Sequence, residues 1–434
     1  MSVLPSQTLP MPEVYYDSNR GNYWDRDAKA DWFQLNEASL KRHLKAASYC
    51  PKPLPGKLIS ELEEVLNRLQ KEQNVAYAGP LAGYSKGIHE VCGNRILVTT
   101  SPKFIEPVVG EWPIIDKILS GMLNLPEKDQ TPYFFGWLKL GINALRSPHG
   151  KHGQALALVG PHGCAKSLTQ NLIITPLFGG RSAKPFQVMT GLTAFNSDLF
   201  EAEHLMIEDE SPATDIRARR TLGAQLKNIT VNTIQRHHQK NKSAISLTPR
   251  WRLSLTLNDE AENLMVLPPI DDSIEDKLML LKVAKQPMPM PTNTPEEQEA
   301  FQKAIAAELP AFSYFLLNWQ IPDELRSQRF GITHYHHPDL LQSIDELAPE
   351  FRLLSLIDVE IFTEFQIGPW EGTAEKLQRE LSSNESNSAY EARKLLGGWS
   401  SATGVYLARL AKKVPERISE RRIKGVRMWT INPK

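Results

Sequence analysis

The chain has 434 residues, enough for two or three domains, and 41% of them are hydrophobic, an ordinary proportion for a protein with a packed core. Lysine plus arginine and aspartate plus glutamate each number 50, so the formal net charge of zero points to no class of partner. The three cysteines lack a CxxC spacing, which argues against a disulfide framework or a zinc knuckle and favours a reducing cytoplasmic setting. We expect no export signal and no membrane span, because residues 1–12 carry no signal-peptide pattern and no apolar run approaches about 18 residues.

Residues 1–125 predict a small N-terminal α+β module. Aromatic residues interrupted by turn formers predict a strand–turn–strand over residues 15–34. Apolar residues at helical spacing predict helices over 37–44 and 58–73, and the apolar run 96–99 predicts a further strand.

Residues 126–286 predict an α/β core. A helix over 133–146 leads into the apolar strand Ala155–Val159, and a second helix is expected from 166 to 173. Further apolar strands are predicted at 204–207 and 251–257. Strands that alternate with helices favour a largely parallel sheet covered by helices on both faces.

The segment Pro287–Pro295 holds four prolines in nine residues, which excludes a helix or a central strand. This composition predicts a linker and a domain boundary. We therefore place a connector at 287–349, with a helix over 296–317, and a last domain at 350–434 that ends in a short strand at 427–431.

The eight residues after strand 155–159 read Gly-Pro-His-Gly-Cys-Ala-Lys-Ser and resemble the phosphate-binding pattern G-x-x-x-x-G-K-[ST]. Lys166 is predicted to reach the β- and γ-phosphates, Ser167 to ligate magnesium, and the following helix to present its amides to the phosphates. The one departure is Ala165, where the pattern has glycine; if this position requires a positive φ, alanine costs on the order of 1 kcal/mol. The alternative is a glycine-rich loop with a surface lysine. The predicted nucleotide-binding residues are Gly160, Pro161, His162, Gly163, Cys164, Ala165, Lys166, Ser167 and Leu168.

About forty residues further on, the apolar run from His204 ends in three carboxylates. Glu208 and Asp209 are the primary pair for holding magnesium through water and polarising the attacking water, with Glu210 close behind. The alternative is a solvated acidic turn. A third apolar strand ends at Asn258, whose amide is predicted to sense the γ-phosphate, although asparagine also commonly follows strands as a turn former.

This ordered set resembles the superfamily 3 helicases, an AAA+-like group, and in particular the helicase part of phage- and plasmid-type primase-helicases. The resemblance covers about residues 130–285 and implies that Lys166 and Ser167 belong to Walker A, Glu208 and Asp209 to Walker B, and Asn258 to sensor 1. It also implies a DNA-contacting hairpin over 234–242, with Lys240 and Lys242 in the pore of a ring and two histidines, His237 and His238, beside them. In a ring, an arginine of one subunit would reach the next subunit's nucleotide; the sequence leaves four candidates open, Arg219, Arg220, Arg250 and Arg252.

The last segment resembles the winged-helix end of the same proteins, on residues 370–374, 395–399 and 425–431. Residues 407–434 carry nine basic and two acidic side chains, a local excess of 9 − 2 = +7 that suits phosphate-backbone contact. Arg417, Arg421 and Arg422 are the predicted DNA contacts, and a solvated charged face is the alternative.

Together these patterns predict an ATP- and Mg²⁺-dependent DNA helicase that acts on single-stranded or forked DNA as a ring, expected to be hexameric. The resemblance places it in replication of a phage, plasmid or integrated element, with a possible primase or polymerase on a separate chain. Two alternatives stay open: a replication initiator or switch that binds DNA without processive unwinding, and a scaffold whose Ala165-containing loop binds ATP but hydrolyses it poorly.

Overall fold

The computed structural model describes residues 11–147, 150–208, 216–268, 270–362, 368–383, 388–423 and 425–433. The chain divides into two compact units, Met1–His337 and Pro338–Lys434. Within the described ranges, no helix combines the length and the apolar character needed to cross a membrane.

The N-terminal part of the first unit is built from two small sheets and two helices. The predicted strand–turn–strand, both helices and the later strand are confirmed within a few residues. The first sheet has the order β3-β2-β1-β4 and the second the order β5-β7-β6. The elements are β1 (Tyr15–Asp17), β2 (Asn22–Arg26), β3 (Trp32–Leu35), α1 (Glu37–Ala46), α2 (Glu61–Glu72), β4 (Asn74–Val75), β5 (Tyr77–Gly79), β6 (Gly87–Val91) and β7 (Asn94–Val98).

The central part continues with α3 (Pro113–Leu123), α4 (Thr131–Arg146), β8 (Ala155–Val159), α5 (Lys166–Leu168), a π-helical turn (Thr169–Ile174), α6 (Thr175–Leu177), β9 (Ser182–Ala183), α7 (Phe186–Met189), a 3-10 turn (Ser197–Glu201) and β10 (His204–Glu208). It then runs through α8 (Ile216–Val231), β11 (Gln235–His237), β12 (Ile245–Leu247), β13 (Arg252–Leu257), α9 (Ala261–Leu264), a 3-10 turn (Glu275–Lys277), β14 (Leu278–Lys282), α10 (Pro295–Asn318) and a 3-10 turn (Asp323–Leu325).

A five-stranded parallel sheet forms the centre of this unit, with the strand order β14-β8-β13-β10-β9. All five residues of β8 are fully buried, as expected for a parallel strand covered on both faces. Because β13 pairs with both β8 and β10, the end of β13 lies between the ends of the other two. The mixed α/β architecture predicted for the core is therefore present.

The proline-rich segment does not mark the division between the units. It is irregular, as its prolines require, but α10 follows it and packs on α3 and α4. Phe301, Ile305 and Phe312 of α10 belong to the same hydrophobic cluster as Phe134 and Trp137 of α4. The segment is thus a loop within the first unit, and the division lies at 337/338 instead of the predicted 287–295. Prolines forbid regular structure locally, but they do not determine where the next helix packs.

The second unit consists of helices around a three-stranded antiparallel sheet with the order β15-β17-β16. The predicted strand 427–431 is present as β17, and Trp429 at its centre is buried with Leu377, Leu407 and Leu410. The elements are α11 (Pro338–Leu347), α12 (Pro349–Glu360), β15 (Trp370–Gly372), α13 (Ala374–Leu381), α14 (Ala389–Leu396), α15 (Ala402–Lys413), β16 (Ile418–Ile423) and β17 (Val426–Ile431).

Candidate functional site

The glycine-rich loop begins where β8 ends. A Cβ atom on Gly160 would lie 2.2 Å from the carbonyl oxygen of Val283, so only glycine fits there. The amide of Gly160 donates to the carbonyl of Leu257 at 3.2 Å, which ties the loop to the end of β13. Gly163 has a φ of +76°, a left-handed conformation that glycine adopts without strain.

Ala165 also has a left-handed backbone, with φ 63° and ψ 18°. The sequence left open whether this position has a positive φ, and in the structure it does. The loop therefore stores a backbone strain of about 1 kcal/mol at the residue before Lys166.

Lys166 is 92% shielded from solvent, with a relative exposure of 8%. Its ammonium group donates to the carbonyl of Pro161 at 2.9 Å and to Oδ1 of Asn258 at 3.0 Å. Two residues that lie 92 positions apart in the chain, both assigned to one site from the sequence, are therefore in direct contact. Cys164 is buried and its Sγ donates to the same Pro161 carbonyl at 2.9 Å.

The helix after the loop is fixed to the sheet by a buried polar network. Gln170 donates to the hydroxyl of Ser254 at 2.7 Å, and both ring nitrogens of His204 are hydrogen-bonded, to Ser254 and Thr175 at 2.7 Å each. Burial lowers the pKa of His204 to about 3, so its ring is neutral. These bonds set the rotation of the helix, which directs the next residue, Asn171, toward the end of β10.

Glu208, the last residue of β10, has both carboxylate oxygens engaged. Asn171 donates to Oε1 at 2.8 Å and also to the backbone carbonyl of Ser167 at 2.9 Å, so it links the two motifs. Lys184 forms an ion pair with Oε2 at 2.7 Å. Burial raises the pKa of Glu208, but the hydrogen bonds from Lys184 and Asn171 and the charge of Lys184 outweigh it, and the pKa lies below its usual value.

The remaining predicted residues fall into two groups. Ser167 is exposed at the start of α5, as are His162 and Gly163 in the loop, whereas Pro161 and Leu168 are half-buried. Asp209 and Glu210 lie outside the described residues.

The described residues place four polar groups at one edge of the sheet: the ammonium of Lys166, the hydroxyl of Ser167, the carboxylate of Glu208 and the amide carbonyl of Asn258. This set of groups fits a magnesium-bound polyphosphate.

A hairpin formed by β11 and β12 stands where the resemblance implied one. Lys240 is exposed in its loop, and Lys242 is half-buried. Burial raises the pKa of Asp17, and the positive charge of nearby Lys242 counteracts that rise. Asn196 holds the hairpin by accepting from the amide of His238 at 2.7 Å.

The expectation that His237 accompanies the pore lysines is not met. Its ring packs edge-on against Tyr77 and Phe200, at centroid distances of 5.3 and 5.0 Å, and burial lowers its pKa to about 4. Alternation along β11 turns this side chain inward, whereas His238 lies beside Phe195 with ring centroids 5.4 Å apart.

Three of the four candidate arginines face the protein. Arg219 is buried and donates to the carbonyl of Leu267 at 3.0 Å. Arg250 donates to the carbonyl of Gly83 at 2.9 Å and lies over the ring of Tyr84. Arg252 is buried among carbonyls, and burial lowers its pKa to about 10. The side chain of Arg220 lies outside the described set. The choice of a trans arginine stays a prediction.

Three residues at this edge were missed from the sequence: Asn171, Lys184 and Lys285. Asn171 could have been found, because it lies four positions after Ser167 on the same helix face. Lys184 follows a two-residue strand, which no pattern predicts. Lys285 lies three residues beyond β14 and approaches the loop only because β14 pairs beside β8.

In the second unit, acidic side chains outside the counted window pair with much of the predicted basic stretch. Arg417 forms an ion pair with Asp358, and Arg421 with Glu371 at 2.5 Å. Arg422 is exposed, and it makes no ion pair with any described residue. The local excess of +7 therefore overstates the charge that this surface presents.

Comparisons with known proteins identify a shared fold. Neither the protein-family models nor the curated proteins give a match. Two solved structures of the NrS-1 C-terminal region align over 97% of this chain and 96% of theirs, at 13% identity and TM-scores of 0.51 and 0.53. The active helicase Cch of SCCmec type IV aligns over 96% of this chain and 92% of its own at 11% identity, with a TM-score of only 0.39. The chain thus shares the fold of the NrS-1 C-terminal region.

Proposed function

We propose that this protein is an ATP-dependent DNA helicase of the superfamily 3 type that acts in replication of a phage, plasmid or integrated element. The observation that carries the proposal is the 3.0 Å contact between Lys166 and Asn258, which joins the phosphate loop to the end of β13. Asn171 connects the acidic strand to the same site, because its side chain donates to the carbonyl of Ser167 and to the carboxylate of Glu208. The phosphate loop, the acidic strand and the end of β13 are distant in sequence but meet at one edge of the sheet. A nucleotide-hydrolysing site needs these three groups close together.

Each side chain has a task in this proposal. Bound Mg²⁺-ATP would supply an activated γ-phosphate, held by backbone amides of the loop. Lys166 would exchange its contact with the Pro161 carbonyl for phosphate oxygens, and Ser167 would supply the hydroxyl for magnesium. Glu208, kept ionised by its low pKa, would orient metal-bound water, and Asn258 would sense the γ-phosphate. Asp209 and Glu210 are proposed to orient the attacking water.

The DNA-contacting parts are proposed from exposure and charge. The hairpin loop carries the exposed Lys240 and the half-buried Lys242, and it would contact a single strand in the pore of a hexameric ring. One of the four candidate arginines, Arg219, Arg220, Arg250 or Arg252, would complete a neighbouring subunit's site. In the second unit, the order helix–strand–helices–strand–strand supports a winged helix, and Arg422 and Lys412 are two of its exposed cations.

The decisive experiment measures phosphate release from ATP with and without single-stranded DNA. We expect hydrolysis by the full chain that single-stranded DNA stimulates, and loss of both activities on Lys166→Ala. A strand-displacement assay on forked DNA tests unwinding in the same preparation. Hydrolysis without displaced strand would favour an initiator or switch, and nucleotide binding without hydrolysis would favour a scaffold limited by Ala165. Unchanged hydrolysis in Lys166→Ala would reject the site.

A further inference from the structure

The chain leaving β14 passes directly over the phosphate loop. The amide of Val283 donates to the carbonyl of Val159 at 2.7 Å, and the amide of Ala284 donates to the carbonyl of Met122 at 3.0 Å. The side chain of Gln286 donates to the carbonyl of Ile118. Anchors on both sides of Lys285 therefore fix its backbone above the loop.

The side chain of Lys285 extends to the middle of that loop. A Cβ atom placed on Gly163 would lie 3.7 Å from Nζ of Lys285 and 3.8 Å from its Cε. Lys285 is exposed, and none of the described residues forms an ion pair with it. An uncompensated ammonium thus stands beside the left-handed glycine of a phosphate-type loop.

Lys166 and Lys285 approach the loop from different directions. Lys166 starts the helix after the loop and points toward Asn258 at the end of β13. Lys285 comes from the far side, next to β14, and lies over Gly163. In loops of this pattern the backbone amides cradle the α- and β-phosphates, while the loop lysine reaches the β- and γ-phosphates. The two ammonium groups therefore suit different parts of one polyphosphate.

We propose that Lys285 is a second phosphate-binding residue in the same subunit, and that it contacts the α- and β-phosphates of the bound nucleotide. This inference rests on the proposed nucleotide site. Because ATP and ADP share these phosphates, Lys285 holds the triphosphate and the diphosphate equally, whereas Lys166 discriminates between them. Lys285 would thus slow release of the diphosphate product as well as strengthen binding of ATP.

The test is the affinity of the full-length chain for fluorescent ATP, ADP and AMP analogues in the presence of Mg²⁺. Lys285→Gln removes the charge and keeps a polar, slightly shorter side chain. We expect Kd to rise about five-fold for both ATP and ADP, as for one charge pair about 4 Å apart in a solvated site, and to rise less for AMP. The effect should diminish at high salt, because an exposed charge is screened.

Two variants control for indirect effects. Lys285→Arg should retain most of the affinity, since it keeps the charge, and unchanged thermal unfolding would show that the fold is intact. Lys303→Gln removes a lysine that is 74% exposed on α10 and should leave every Kd unchanged.

The outcomes separate the inference from the function on which it rests. If Lys166→Ala abolishes ATP binding while Lys285→Gln binds both nucleotides like the wild type, the role of Lys285 is overturned and the nucleotide site stands. If Lys285→Gln loses affinity for ATP alone, Lys285 contacts the γ-phosphate, and the inference is also overturned. A wild-type chain that binds neither nucleotide would reject both.

Discussion

The residue before the loop lysine is an alanine in a conformation that favours glycine, and this makes position 165 a sensitive site. Ala165→Gly removes the strain of a Cβ at φ 63° but adds chain entropy to the unfolded state. We expect a net gain of about 0.5 kcal/mol in the free energy of unfolding of the first unit. Ala165→Val should lose about 2 kcal/mol, because a β-branched residue tolerates this region least.

Calorimetry of the two variants checks this expectation, with ATP affinity measured in parallel. The diagnostic result is a free energy of unfolding that rises in Ala165→Gly and falls in Ala165→Val. A cavity or packing effect would not separate the two variants in this way. Equal midpoints for Ala165→Gly, Ala165→Val and the wild type would show that the loop does not hold residue 165 in a left-handed conformation.

Glu208 provides a prediction about pH. Its pKa in the folded chain lies below the usual value, so its ion pair with Lys184 stabilises the protein fully above the unfolded pKa, and this contribution is lost as the pH falls through the folded pKa. Lys184→Met removes the ion pair and the donated hydrogen bond but leaves the burial. The pKa of Glu208 should therefore rise.

A protonated Glu208 cannot orient metal-bound water, so the acid limb of the kcat profile should move to higher pH in Lys184→Met. ATP hydrolysis measured from about pH 4 to about pH 8 tests this shift. Lys303→Met serves as the control, because it removes an exposed lysine that pairs with Glu299 and does not contribute to the pKa shift of Glu208. An acid limb at the wild-type position would mean that Lys184 does not tune Glu208.

At the level of elements, the positions of the strands in the sequence were easier to predict than the order in which they pair in the sheet. The apolar runs 155–159 and 204–207 matched β8 and β10 closely, because a strand buried on both faces reads as an unbroken hydrophobic run. No local pattern states that β13 lies between them, although this pairing is what brings Asn258 to Lys166. The motif residues were thus predictable, but Asn171, Lys184 and Lys285 depend on packing between elements.

The hairpin of β11 and β12 also shows this limit. Its place after α8 and its exposed Lys240 agree with the expectation, but the packing of Tyr77 from the N-terminal sheet against His237 could not be predicted. We predict that Lys240→Ala lowers the affinity for single-stranded DNA and the DNA stimulation of hydrolysis, with basal hydrolysis unchanged. Lys242→Ala should have a smaller effect, because Lys242 is half-buried and near the carboxyl of Asp17.

Titration of labelled oligo-dT at several salt concentrations measures the hairpin prediction. Each lost phosphate contact should reduce the slope of log K against log salt by about 0.7. Lys303→Ala is the matched surface control. If Lys240→Ala binds oligo-dT with the affinity and the salt slope of the wild type, the hairpin does not contact the DNA.

At the level of the whole molecule, the N-terminal sheets and the parallel sheet form one compact unit, although the pattern of strands and helices predicted a small module over 1–125. One contact that joins them is made by Glu203, which is fully buried beside β10. Its carboxylate accepts from Arg181 at 2.9 Å and from the amide of Gly83 at 2.8 Å. Arg181 also donates to the hydroxyl of Thr100 at 3.2 Å. Sequence composition could not reveal this link, because its residues are separated by up to 120 positions.

Glu203→Ala should therefore destabilise the N-terminal sheets and the core together. Removing one member of a buried ion pair leaves the other charge and a backbone amide without a partner, and we expect a loss of about 3 kcal/mol. In calorimetry, the transition of the first unit should move to lower temperature as a single peak, and that of the second unit should stay in place. Glu299→Ala, which removes an exposed pair with Lys303, should change stability by less than about 0.5 kcal/mol. A first-unit peak that splits in two would mean that the N-terminal sheets unfold independently and that Glu203 joins two domains.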